Sequence, residues 1–194
     1  PELFAQAVAF VFKRKDGGED PPELRLDDPE AASARATNAY RLLQSLRRIP
    51  GRNRLGQLDS AAIEGWVKQV REGCAALGRP GMGDECMGSL FAHAPVDEDG
   101  VWPVRPVRDA LENVLNKRMA DGIHVGLHNK RGVVWRGEGG GQERDLASKY
   151  EQWARALEYS HPQVSRIMTG MAKSYTKEAE WHDTDADIRK RLHY

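Results

Sequence analysis

The sequence predicts a mainly α-helical protein of about eight helices packed as antiparallel hairpins, a bundle or a solenoid-like stack, with one small β-hairpin near residues 123–135. Three observations carry this. Apolar residues recur at three- and four-residue spacing along most of the 194 residues, as in helices with one buried face. Proline and glycine interrupt these segments, so the connections are short and consecutive helices turn back on one another. Only between Gly122 and Arg136 does the pattern change to clustered β-formers.

Each element has its own signal. Leu3, Phe4, Ala7, Val8, Val11 and Phe12 share a helical stripe that Asp16-Gly-Gly-Glu-Asp-Pro-Pro22 breaks. Over residues 30–48 the stripe is Ala36, Ala39, Tyr40, Leu43, Leu46 and Ile49, stopped by Pro50-Gly51. Leu58-Asp59-Ser60 supplies an apolar staple and an acidic cap for a third helix with Ile63, Trp66, Val67, Val70, Cys74 and Leu77 on one face. Residues 82–93 form a short helix with Met87, Leu90 and Phe91 inward. Arg105-Pro106 opens the next, which carries Val107, Leu111, Val114 and Leu115; Pro106 suits a first turn, where its missing N–H has no partner to lose.

Ile123-His-Val-Gly-Leu127 and Val133-Val-Trp135 flank Asn129-Lys-Arg-Gly132 as the two arms of a hairpin. It must lean on the helices, because an isolated two-stranded ribbon is marginal in water. Leu146, Tyr150, Trp153, Ala154 and Leu157 mark a helix over about 142–159. A further helix restarts at His161-Pro162 with Val164, Ile167, Met168, Met171 and Tyr175, and Asp183-Thr184 is expected to cap a last one ending at Tyr194. No self-similarity at a fixed period marks a known repeat family.

Composition narrows the function classes. Lys+Arg and Asp+Glu are both 29, so no global field favours a polyanion, and nucleic-acid binding is not expected without a local basic patch. Arg47, Arg48, Arg52 and Arg54 around Pro50, and Arg189-Lys-Arg191, are the two basic clusters; both flank helix ends, where cations also answer the terminal carbonyls. The 40% hydrophobic content, with five Trp and five Tyr, is that of a folding chain. Cys74 and Cys86 lie inside amphipathic segments, as reduced thiols rather than a disulfide framework. No apolar run reaches the roughly 18 residues of a membrane span, and no leader pattern is present, so the expected compartment is the cytoplasm. The length suits a single helical domain over 1–194, with a subdivision allowed near 95–105. The opening at Pro1, without an initiator methionine, suggests a piece of a larger protein.

The stretch Gly137-Glu-Gly-Gly-Gly-Gln-Glu-Arg144 is the one place where backbone freedom, both signs of charge and a helix start converge. Its amides could meet an anion, with Arg136 and Arg144 as clamps. The Lys-Ser/Thr that follows the last glycine of a phosphate loop is replaced by Gln142-Glu143, which argues for a hinge and a helix start. Arg136, Glu138, Glu143 and Arg144 are therefore expected as contact residues. His124 and His128, four apart, would share a strand face near Glu138, Glu143 and Asp145, but the helical His-Glu-His arrangement of hydrolytic zinc is missing, so neither a metal nor a cofactor is expected. Trp102, between prolines in Asp97-Glu-Asp-Gly-Val-Trp-Pro-Val-Arg-Pro106, is either a plug between helices or an aromatic anchor for a partner. No catalytic serine or cysteine signature occurs.

Gly100-Val-Trp-Pro, Pro106-Val-Arg-Asp109, Asn129-Lys-Arg-Gly-Val-Val-Trp-Arg-Gly137 and Gln142-Glu-Arg-Asp-Leu-Ala147 resemble the carboxyl-terminal helical region of large, uncharacterised bacterial multidomain proteins. The resemblance covers the chain from about residue 40 and implies a bacterial origin and a helical scaffold at the end of a larger protein. The resulting expectation is a non-catalytic protein-interaction or scaffold module whose partner is another protein or another part of the same chain. An anion- or nucleotide-binding or enzymatic domain using 137–144 is the alternative, and a nucleic-acid-binding helical module the second.

Overall fold

The computed structural model describes residues 1–15, 17–131 and 139–192, and among these the secondary structure is eight α-helices, one short 3-10 turn at Pro22–Leu24 and no sheet. The helices are α1 (Glu2–Val11), α2 (Pro29–Ser45), α3 (Ser60–Ala76), α4 (Pro80–Phe91), α5 (Arg105–Val114), α6 (Lys117–Lys130), α7 (Gly141–Leu157) and α8 (Pro162–Leu192). No helix among the described residues is long and apolar enough to cross a membrane.

Local signals place most helix starts. Asp28 accepts from Glu30 N, with Pro29 in the first turn of α2. Asp59 accepts from Ala62 N at 2.8 Å to start α3, and Asn116 accepts from Met119 N at 2.9 Å to start α6. Each is a short polar side chain satisfying an amide that the first turn leaves without an intrahelical partner.

The expected hairpin is not formed. Residues 123–127, its first arm, lie inside α6; its second arm, 133–135, falls outside the described residues. Over five residues Ile-His-Val-Gly-Leu alternates, but over nine the buried positions are Met119, Gly122, Ile123, Gly126 and Leu127, a helical stripe. Packing decides between the two. A Cβ on Gly88 of α4 would lie 2.1 Å from Met119 O, one on Gly122 2.0 Å from Glu85 O, and one on Gly126 2.6 Å from the Ala92 Cβ. The two backbones touch there, and a helix spaces Gly122 and Gly126 about 6 Å apart along α4, where a strand would hold them about 13 Å apart.

Asp84 with Asn116, Glu85 with Arg118 and Ala92 with Lys130 advance together along the chain, so α4 and α6 run parallel, joined by α5. Two consecutive pairs turn back as expected. Cys74 lies beside Gly83 and Trp66 sits edge-on to Phe91 at 6.3 Å, making α3 and α4 antiparallel. Ser165 Oγ donates to Ala154 O and Tyr175 stacks on Tyr150, making α7 and α8 antiparallel. Phe4 packs edge-on to Trp66 at 5.2 Å, seating α1 on α3. The buried cluster is continuous from Phe4 to Tyr175 and includes Trp102, so the apolar core passes through residues 95–105 without a break.

Helix α8 also departs from the expected arrangement. Asp183-Thr184 starts no helix, because α8 is unbroken from Pro162 to Leu192. Thr184 Oγ1 donates to Glu180 O at 2.9 Å, and the Asp183 carboxylate turns to another helix altogether. The start of α8 is capped remotely: the Glu112 carboxylate on α5 accepts from Gln163 N at 2.9 and 3.0 Å.

Because the glycine contact has no room for a methyl, Gly122→Ala is expected to destabilise the fold by about 1–3 kcal/mol or more. Gly65→Ala on α3, where an added Cβ meets nothing within 4 Å, is expected to stabilise it by up to about 1 kcal/mol. Urea unfolding of the two variants should shift in opposite directions; a Gly122→Ala midpoint at the wild-type position would refute the close contact.

Candidate functional site

Helices α6, α7 and α8 meet where the sequence places its candidate residues. Arg136 and Glu138 lie outside the described residues, so only the remaining ones can be placed. His124 and His128 share a face as expected, but of a helix. His124 Nε2 is 3.2 Å from Ser174 Oγ, and His128 Nδ1 is 3.6 Å from Glu178 Oε1. The His128 ring stacks on Tyr175 at 5.8 Å and Tyr175 stacks on Tyr150 at 5.6 Å, with the Arg131 guanidinium 5.7 Å from the Tyr175 ring centre.

Charges here are paired internally. Glu143, in the first turn of α7, is 1% exposed and accepts from Arg131 Nη2 at 2.8 Å. Asp183 accepts from Gly140 N at 2.8 Å through Oδ1 and pairs with Arg144 through Oδ2. The glycines make this approach feasible. Gly139 has φ +74°, and a Cβ on Gly140 would lie 2.3 Å from Ala179 O, so α8 lies directly against the start of α7. An internal carboxylate therefore holds the amide an incoming phosphate would use, and one of its proposed clamps is that carboxylate's ion-pair partner.

Titration follows the same geometry. Partial burial, then the neighbouring His128, lowers the pKa of His124 against the opposing pull of Asp121 and Glu178, leaving a neutral ring at neutral pH. Burial and Tyr175 push the Tyr150 hydroxyl up to about 12, so it stays protonated. Burial also raises Cys74 to about 11 and Cys86 to about 12, which removes thiolate chemistry from both. No group of three or more metal-ligating side chains occurs among the described residues.

Trp102 is inside the protein. It is 1% exposed, and its indole donates to Ala94 O at 3.0 Å. The loop around it is fastened by buried Arg108, which donates to Pro103 O and Val101 O, both at 2.7 Å, and to both oxygens of Asp99. Of its two expected roles it holds the plug, and its burial leaves no surface for a partner. In the basic clusters, Arg52 donates to Gly56 O at 2.6 Å and Arg189 pairs with Asp185 at 2.7 Å.

Two features were missed in the sequence reading. Trp181, Ile188 and Leu192 on α8 are 64%, 51% and 77% exposed. At about 100° per residue their spacing puts them on one face, opposite Ala179 and Asp183, which face α7. The i, i+7, i+11 spacing was legible, but the expected helix break at Asp183 separated Trp181 from the other two. The other is a cleft gathering Arg47, His93 and Lys130 from three distant segments; sequence spacing gives no hint of it.

Comparison with protein-family models, curated proteins and solved structures returns no match.

Burial raises the Glu143 pKa, but the hydrogen bond from Arg131, its own backbone N–H and the charges of Arg131 and His182 outweigh that and hold it below its ordinary 4.5. A carboxyl lowered by folding stabilises the protein above that ordinary value and loses the contribution as pH falls through its lower folded value. Thermal melts should therefore drop on acidification below about pH 4.5, and less steeply in Glu143→Gln. At neutral pH that variant should be less stable by about 1.5–3 kcal/mol, the range for a hydrogen bond to a charged partner. Parallel acid profiles for the two proteins would remove Glu143 from this role.

Proposed function

We propose that this chain is a non-catalytic protein-interaction module that docks through the far end of α8. The observation that carries the reading is the single face presenting Trp181, Ile188 and Leu192 to solvent. Taking each large apolar side chain out of water contributes roughly 1.5–3 kcal/mol. Three together contribute about 4.5–9 kcal/mol, of which association costs of about 4 kcal/mol or more leave the scale of a weak, millimolar-range complex unless neighbouring contacts add to it. A long amphipathic helix with anchors at these spacings suits an apolar groove or another helix, on a second protein or another part of the same polypeptide. Tryptophan is enriched among the residues that dominate such interfaces.

The internal pairing at the α6–α8 junction supports the non-catalytic half of the proposal. Glu143 and Asp183 are engaged by Arg131 and Arg144, and the histidines contact Ser174 and Glu178. Arg144, more than half exposed, pairs with Asp183 on the opposite side of α8 and is not part of this apolar face.

A photo-crosslinking amino acid at Trp181 is expected to capture one defined protein in the native cell. The same probe at Tyr159, 93% exposed beyond the opposite end of α7, should not capture it. Ile188→Asp should cut the Trp181 adduct by about tenfold or more while leaving the melting temperature in place. Equal capture from 159 and 181, or an adduct indifferent to Ile188→Asp, would refute docking through this face; substrate turnover abolished by His124→Ala would refute the non-catalytic reading.

A further inference from the structure

Helices α2, α4 and α6 end around a cleft of about 430 Å³ whose lining, among the described residues, includes Arg47, His93 and Lys130 and no carboxylate. Gln44 and Asn129 add amides, over a floor that includes Leu90. The three cations come from three segments, at the end of α2, just past α4 and at the last residue of α6.

Part of this basic charge answers the helices themselves. A helix C-terminus carries about half a negative charge on its open carbonyls. Arg47 Nη1 donates to Gln44 O and to Leu46 O, the latter at 2.9 Å, and Lys130 Nζ lies 3.5 Å from Ala92 O. Those contacts leave donors over. A guanidinium has five N–H groups and an ammonium three; both Arg47 contacts run through Nη1 and leave Nε and Nη2, and the single Lys130 contact leaves two N–H groups. The half-buried His93 ring makes no hydrogen bond among the described residues. Partial burial, then the charges of Arg47 and Lys130, push the His93 pKa below its ordinary value; burial, then Lys149, does the same to Lys130. Crowded cations hold their protons less tightly, and an anion placed among them would reverse that.

We propose that this cleft binds a phosphate-type oxyanion, gripped by the Arg47 guanidinium and the Lys130 ammonium with His93 donating from the side. A guanidinium fork matches two oxygens of a phosphate, and an ammonium meets a third as a point charge. The volume falls within the roughly 300–1,000 Å³ of small-molecule sites. It exceeds an isolated phosphate, which favours the phosphoryl group of a small phosphorylated molecule over the free ion. The site is separate from the α8 face and from the start of α7.

The test follows the His93 ring protons of the full chain by NMR across a pH titration, in phosphate and in chloride at matched ionic strength. Phosphate should raise the His93 pKa, and Arg47→Ala and Lys130→Gln should each weaken its binding by about tenfold or more. Arg54→Ala, outside the cleft, should leave binding unchanged. Arg47→Lys, which keeps the charge without the fork, should give an intermediate loss. Both cleft side chains are exposed, and an unmoved His161 signal verifies the fold of each variant. Adenosine monophosphate binding more tightly than inorganic phosphate identifies a phosphorylated small molecule; equal affinity identifies the free ion. A His93 titration identical in phosphate and chloride, or a phosphate shift that persists in Arg47→Ala and Lys130→Gln, would overturn the proposal.

Discussion

At the crossing of α4 and α6 two helix backbones lie in contact, and the arrangement of the rest follows from it. Gly88 sits against the Met119 carbonyl and Gly122 against that of Glu85, with no side chain between them. Such an approach replaces side-chain interdigitation with direct backbone packing, where the position of one helix on the other is fixed to within a fraction of an ångström. Because the pair runs parallel, α5 must cross from the end of one to the start of the other. That crossing brings Glu112 to the start of α8 and Arg108 under the Trp102 loop. The α7–α8 hairpin is then held to the core through α5 and α6.

Polar groups that reach across the chain secure this frame. Buried Arg79 donates to Phe12 O and pairs with Asp20, tying the first loop to the turn between α3 and α4. Asp84 receives Arg71 at 2.8 Å and Asn116 at 2.7 Å, joining α3, α4 and the start of α6. Glu112 and Asp183 serve helix starts far away in sequence. Each arrangement supplies a partner to a charge or amide that would be costly to leave unpaired away from water. The same economy shapes the functional reading, since the charges that could perform chemistry at the start of α7 are engaged in holding helices together. Features facing outward lie elsewhere, on the distal face of α8 and at the joint ends of α2, α4 and α6.

Mainly helical character, the positions of most helices and the Asp59 cap were legible in the sequence. Asp59 begins α3 by accepting from Ala62 N, and the stripe Ile63, Val67, Val70 and Cys74 is buried as its spacing requires. Such features depend on neighbours within about one helical turn, so the order of residues suffices to specify them. The glycine stretch was also legible as the start of a helix, with Glu143 and Arg144 in its first turn.

What tertiary structure alone decided was the state of segments whose local signals conflict and the partners of charges. Ile123 to Leu127 has the composition of a strand and becomes helix because Gly122 and Gly126 must meet α4. Asp183 has the chemistry of a cap and serves α7 from the middle of α8, because its carboxylate lies beside Gly140 only once the hairpin has closed. Sequence by itself determined the elements whose periodicity and capping agree, since those signals are short-range. Only the folded chain decided which side chains are buried, paired or presented, because those outcomes depend on distances between residues that the order of the chain does not contain.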